Sequence, residues 1–271
     1  MQPIVYRTLI GTLLLIGSLS AIWLSQGPFS LIFPVLCAVI LSLALFELYH
    51  LCEAKGYPSM KYLGITSTIL YLVAIWIGHP LLLEEAILFF TLFFGFCYYF
   101  YFGDKPLLSL AMTLFGIGYL TLPLSSILRI IYLDDGKLWV IYLLLIKAAT
   151  DGGGYLFGSM LGRKSLAPSI SPHKTWEGAA CGTLLAILIT ICFNYLTPHP
   201  LLGLSQAVFL AVSLAIFMII GDLAESLIKR DIGVKDSAHI PGVGGVLDTI
   251  DSLVFATPFL YFFLQTLKAY S

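Results

Sequence analysis

Between Ser226 and Ser252 the chain reads SLIKRDIGVKDSAHIPGVGGVLDTIDS, gathering Lys229, Arg230, Lys235, Asp248 and Asp251 around a glycine-rich turn in an otherwise apolar sequence. Ionisable residues are expensive beside lipid, so a cluster of both signs there suggests a membrane-edge site for phosphates and a divalent metal. Just upstream, Asp222 and Glu225 are three residues apart, and Ser226 and Lys229 continue the same helical face. Asp248, Asp251 and Ser252 repeat that spacing. Two helix ends joined by one loop would aim these carboxylates at a shared point, as Mg²⁺ requires when it takes one or two carboxylates together with substrate phosphates. The same acids could instead pair with Lys229, Arg230 and Lys235 as an interfacial salt-bridge network.

The turn itself, Pro241-Gly242-Val243-Gly244-Gly245, runs its backbone amides into a helix N-terminus, which is a natural anion site or a plain flexible turn. Lys147 and Asp151 lie four apart, followed by Gly152, Gly153 and Gly154; they form an intrahelical ion pair or a functional pair beside a helix break. The next loop carries Arg163, Lys164, His173, Lys174, Trp176 and Glu177, a mixture that serves phosphate binding or simply topology and interfacial anchoring. His239 could hold phosphate or metal or merely be solvated, and Glu47 with His50 reads as a polar helix end.

The elements that must position these groups are membrane helices. Of 271 residues 59% are hydrophobic and 11% charged, too apolar for a soluble domain. The net charge of −1 offers nothing to nucleic acid as a whole, so anion binding must be local. Five cysteines show no metal-ligand or CxxC spacing. About nine stretches reach the roughly 20 residues a spanning helix needs: 5–24, 29–51, 62–82, 86–102, 107–133, 138–161, 176–196, 204–224 and 246–267. The expected fold is therefore all-α and polytopic, with residues 1–137 forming about five scaffold helices and 138–271 about four helices that carry the chemistry. The first span reads as a retained helix, because no small-x-small cleavage site follows it. The sixth is expected to break at Asp151–Gly154. Arg7, Lys55, Lys61, Lys105, Arg163, Lys164, Lys174, Lys229, Arg230 and Lys235 fall on one side of a nine-helix arrangement, and Arg129, Lys137 and Lys268 on the other. The positive-inside rule then places the N-terminus and the charged loops in the cytoplasm.

The C-terminal stretch strongly resembles the phosphatidate cytidylyltransferases, or CDP-diacylglycerol synthases, in the order Ser226, Lys229, Arg230, Lys235, Asp236, Pro241, Gly242, Gly244, Gly245, Asp248 and Asp251. GDLAES at 221–226, SPHKTWEG at 171–178 and ATDGGGYLFG at 149–158 add to the likeness, which covers roughly the C-terminal half. Val243, Thr249, Gly152 and His173 depart from the family pattern, which has His, Arg, Thr and Lys there. Each lost cation removes a charge-assisted bond of about 1.5–3 kcal/mol.

The resemblance implies an integral membrane enzyme of the bacterial inner-membrane type that transfers the cytidylyl group of CTP to phosphatidic acid, with its site open to the cytoplasm. It implies Asp222, Asp248 and Asp251 as ligands of Mg²⁺ and of a second cation where one is used. Lys174, Lys229, Arg230 and Lys235 would hold phosphates, with Ser226 beside them, and Gly244 and Gly245 would let backbone approach closely. Asp151, Glu177 and Glu225 would support the metal or contact cytidine. CTP, phosphatidic acid and membrane lipid are the expected partners, and a homodimer is compatible with the sequence. The rival readings are a CTP-dependent lipid or polyprenol kinase, which needs a base for its hydroxyl acceptor, and a transporter built on the broken sixth helix.

Overall fold

The computed structural model describes residues 30–78, 80–103, 105–197, 201–234 and 245–270. Among them, seven helices are long and apolar enough to cross a membrane, and an eighth, Lys61–Ile77, is apolar but shorter. The chain is an all-α polytopic membrane protein. The span expected at 5–24 lies outside the described residues. The other eight expected spans each have a helix, so the count of nine is neither reached nor exceeded within what is described.

In chain order the helices are α1 (Ile32–Ala54), α2 (Lys61–Ile77), α3 (Pro80–Tyr99), α4 (Pro106–Ile131), α5 (Gly136–Leu161), α6 (Trp176–Leu196), α7 (Leu204–Ile232), α8 (Val246–Ile250) and α9 (Leu253–Tyr270). Between α5 and α6 two short antiparallel strands, β1 (Ser165–Ala167) and β2 (Ser171–Thr175), pair Ser165 with Thr175 and Ala167 with Ser171. The chain divides into two compact units: Met1–Tyr132 with Ile232–Thr249, and Leu133–Asp231 with Ile250–Ser271.

In the first unit, lipid gives helices no hydrophobic reason to associate, so small residues and hydroxyl pairs do that work. Tyr49 of α1 is fully buried and donates to the Thr113 carbonyl at 2.8 Å. It fits only because Gly64 and Gly116 lack side chains: a Cβ on either would lie 2.4–2.5 Å from the Tyr49 hydroxyl. Buried hydroxyls meet at 2.7 Å in the pairs Ser67–Thr91 and Thr68–Thr121. Thr121 ends a π-helical turn, Ile117–Thr121, within α4. Deep in the same unit Glu84 pairs with Arg129 and accepts from the Tyr71 hydroxyl at 2.7 Å. Phe89, Phe90, Phe93 and Phe94 of α3 remain exposed, as a lipid-facing surface would.

In the second unit the expected break in α5 does not occur. The helix runs for 26 residues straight through Asp151–Gly154. Two of the three glycines there, Gly153 and Gly154, are a contact surface rather than an interruption. A Cβ on Gly153 would lie 2.7 Å from Leu185 Cδ1, one on Gly178 2.7 Å from the Gly154 carbonyl oxygen, and one on Gly182 2.8 Å from the Thr150 carbonyl oxygen. Gly153, Gly154 and Gly158 on α5 thus lie backbone to backbone with Gly178 and Gly182 on α6, the small-residue packing that membrane helices favour. Lys147 and Asp151, one turn apart, form an ion pair on this helix. With the break gone, one of the two features behind the transporter reading is absent, and the Lys147–Asp151 pair that remains lies within a single continuous helix. Tyr142 and Thr190 hydrogen-bond across the same two helices at 3.0 Å.

The contrast between neighbouring glycines is testable. Gly152 has open space where a Cβ would go, so Gly152→Ala should raise stability by up to about 1 kcal/mol through helix propensity. Gly182→Ala must push into backbone and should lower it by about 1–3 kcal/mol. Thermal unfolding of the two variants in detergent should move the midpoint in opposite directions.

Candidate active site

α7 is 29 residues long, about 44 Å at 1.5 Å per residue, and so exceeds the hydrocarbon thickness of about 30 Å. The expected span ended at residue 224; the helix continues for two more turns, and those turns carry Glu225, Ser226, Lys229 and Arg230. Glu225, almost wholly buried, pairs with Lys229 at 2.5 Å one turn on. Ser226 is half-buried one turn beyond Asp222.

The β1–β2 hairpin is fastened to α7 and α6 by its charged residues. Lys174 on β2 pairs with Asp222 on α7, and Arg230 Nε donates to the Ile170 carbonyl at the hairpin's turn, at 3.0 Å. Thr175 caps α6, accepting from the Gly178 N–H at 3.1 Å, and Glu177 reaches back so that its Oε2 accepts from the Arg163 and Lys164 N–H groups at 3.1 and 3.3 Å. Glu177 therefore holds the base of the hairpin. Arg230 and Lys174, expected on phosphates, also fix where the hairpin sits.

Asp222 and Asp251 are brought together by the glycine between them in space. Gly221 faces the turn that joins α8 to α9, and a Cβ there would lie 2.6 Å from the Asp251 carbonyl oxygen and 3.2 Å from Ser252 Cα. Asp251 is buried, its Oδ1 accepts from the Ser252 N–H at 2.5 Å, and it lies within Coulombic range of Asp222, Lys147 and Glu225. The second unit includes the carboxylates Asp151, Asp222, Glu225 and Asp251, and the lysines Lys147, Lys174 and Lys229 pair with the first three in that order. Among the described residues no cation bridges Asp251. The buried Ser252 hydroxyl beside it also has no hydrogen-bond partner among them.

In the first unit, Gly245 is the residue before α8. Its N–H donates to Asp248 Oδ2 at 3.2 Å and its carbonyl accepts from the Thr249 hydroxyl at 3.0 Å. The next two N–H groups, of Val246 and Leu247, donate to the two carboxylate oxygens of Glu47 at 3.0 and 2.9 Å. The amides of Val246 and Leu247, which follow the glycine turn, hold an anion that is a side chain from α1, 199 positions away from Val246. Glu47, read from sequence as a polar helix end, is a long-range cap. Lys235 and Gly244, with Asp236, His239, Pro241, Gly242 and Val243, lie outside the described residues.

Among the described residues no group of three His, Cys, Asp or Glu side chains is arranged to hold a metal ion. Mg²⁺ asks the protein for one or two carboxylates when phosphates supply the remaining oxygens. Asp222 and Asp251 meet that smaller demand, and the buried Asp251 carboxyl beside the orphaned Ser252 hydroxyl offers oxygens that suit a hard cation.

A family model for cytidylyltransferases matches residues 5–267. The chain belongs to the cytidylyltransferase family. Among curated relatives, the phosphatidate cytidylyltransferase of Haemophilus influenzae is 36% identical over 173 residues, covering 60% of this chain and 59% of that protein. That of Bacillus subtilis is 40% identical over 130 residues, covering 48% of each. That of Staphylococcus haemolyticus is 35% identical over 162 residues, covering 59% of each. The chain spans about half the length of the curated relatives it matches.

For this cytidylyltransferase-family chain, Gly221 is the contact that joins Asp222 to Asp251. Gly221→Ala should drive the Asp251 turn away from α7 and lower stability by about 1–3 kcal/mol. Thermal unfolding in detergent measures it. An unchanged midpoint would show that the two elements do not touch as described.

Proposed function

We propose that this protein transfers the cytidylyl group of CTP to phosphatidic acid, forming CDP-diacylglycerol and pyrophosphate in phospholipid biosynthesis. The observation that carries the reading is an acidic pair, buried Asp251 beside half-buried Asp222, with Lys174 paired to Asp222 at the edge of a membrane helix, in a chain of the cytidylyltransferase family. Relatives named phosphatidate cytidylyltransferase supply the substrate class.

In the proposed reaction a phosphate oxygen of phosphatidic acid attacks the α-phosphorus of CTP. The bond from that phosphorus to the α,β-bridging oxygen breaks, and pyrophosphate leaves with the electron pair. The nucleophile is already an anion at neutral pH, so positioning and charge neutralisation matter more than proton removal. Asp222 and Asp251 would hold Mg²⁺, which when bound neutralises charge on the phosphates and helps align them; Asp248 joins that set on the family resemblance alone. Lys174 on the hairpin and Lys229 and Arg230 on the overhanging turns of α7 would draw the triphosphate and the lipid phosphate together; Lys235 extends that set. Ser226, one turn from Asp222, would donate its hydroxyl to a phosphate oxygen. Asp151 and Glu225 would keep Lys147 and Lys229 oriented, and Gly245 would let backbone approach closely. The lysine-rich side is assigned to the cytoplasm, where CTP is dissolved. The acceptor's acyl chains remain in the bilayer throughout, which is why such a site belongs at a helix end.

Purified protein given CTP labelled in the base, phosphatidic acid and Mg²⁺ should move label into extractable lipid and release one pyrophosphate per lipid formed. Label appearing in free CDP would mark a lipid kinase instead. Asp222→Asn, Asp248→Asn and Asp251→Asn should each reduce turnover by about 10²–10³-fold while leaving membrane insertion unchanged. Full activity in the Asp251 variant would remove the proposed centre.

A further inference from the structure

The geometry points to Glu47 as a positioning residue for the aspartate-bearing helix α8, an inference that rests on the reaction proposed above. Glu47 sits in α1 among Ala44, Leu45, Leu48 and Tyr49, all fully buried, and is itself only 8% exposed. A carboxylate in such surroundings is costly and persists only with strong partners. Among its partners are two consecutive backbone N–H groups, those of Val246 and Leu247, one on each oxygen.

These are the first two residues of a helix five residues long. So short a helix cannot stand by its own hydrogen bonds, because nucleation is unfavourable and its first N–H groups have no intrahelical acceptors. Three consecutive N–H groups, from Gly245, Val246 and Leu247, donate to carboxylates here: the first to Asp248 in a capping-box manner, the others to Glu47. The negative charge also meets the positive end of the helix. Asp248 is thereby held from two directions, by its own bond to Gly245 and by the anchoring of the backbone that carries it. α8 then leads directly into the turn that bears Asp251.

Glu47 does not need to touch substrate. It acts through α8, and its removal should alter how well Asp248 is placed more than how well substrates bind. Glu84 is the natural control. It is equally buried in the same unit, but its partners are Arg129 and Tyr71, not α8.

The test uses the full chain in detergent with two readouts. Hydrogen exchange followed by mass spectrometry on the peptide spanning residues 245–252 should speed up at least about tenfold in Glu47→Gln and more in Glu47→Ala, and stay unchanged in Glu84→Gln. In base-labelled CTP turnover, kcat per folded protein should fall about tenfold in Glu47→Gln and about a hundredfold in Glu47→Ala. KM for CTP and phosphatidic acid should stay within about twofold, and Glu84→Gln should keep wild-type kcat even where its unfolding midpoint drops. Unchanged exchange in the Glu47 variants overturns the anchor whatever the activity. Accelerated exchange with kcat equal to or above wild type overturns the positioning role and would mean that Glu47 blocks the amides from a ligand. A wild-type protein inert toward CTP and phosphatidic acid, with exchange accelerated in Glu47→Gln, supports the anchor and overturns only the reaction.

Discussion

A carboxylate held among apolar helices must find a partner, and that requirement organises this protein more than any other. Glu84 takes Arg129 and Tyr71, Asp151 takes Lys147, Asp222 takes Lys174, Glu225 takes Lys229, and Glu47 takes two backbone N–H groups. Each partnership fixes a distance between two pieces of chain, and where those pieces are remote in sequence it fixes the fold. Glu47 ties α1 to the start of α8. Asp222 ties α7 to the hairpin. Asp251 stands apart because it is buried without an ion-pair partner among the described residues, and a cation supplied with substrate phosphates would complete it.

Close backbone approach is the second constraint, and glycine meets it. The α5–α6 contact depends on glycines on both helices, Tyr49 on Gly64 and Gly116, and the meeting of Asp222 with the Asp251 turn on Gly221. In water such contacts would be minor beside apolar burial. In lipid they are a main source of helix–helix attraction, since a leucine gains little by leaving one hydrocarbon environment for another.

Whether a feature was legible in the sequence depended on its range. Spanning helices were visible because roughly twenty apolar residues in a row have few other uses, and Trp176–Leu196 was placed to the residue. The pair Lys147–Asp151 was visible because its partners are a helical turn apart. Gly153 and Gly154 carry an ambiguous signal: the same residues that break a helix in water let two helices touch in a membrane, and sequence alone does not say which applies. The hairpin was read as a loop, since strands of three and five residues, one containing Pro172, leave no periodic signal. Glu47 was noticed only as polar. Its signal was an acid within an apolar helix, but nothing local names a partner 199 positions away.

Ion pairs drawn part-way out of water often repay little of their desolvation, so those in this chain are better explained by position than by stability. The Asp222–Lys174 pair shows why. Lys174 belongs to a small hairpin whose other ties are the Arg230 contact to Ile170, the Glu177 latch and the Thr175 cap, and all of these act at its turn or base. An apolar pair at 174 and 222 could hold the hairpin equally well. It could not exchange. In the proposed reaction, a carboxylate balanced by an ammonium would release that ammonium to an arriving divalent cation, and the freed lysine would then lie beside the phosphates that travel with it. The same logic fits Glu225–Lys229 and Asp151–Lys147 less well, because both partners lie on one helix and neither moves relative to the other. Of the three pairs, the one that joins two separate elements is the one whose chemistry can change with ligand.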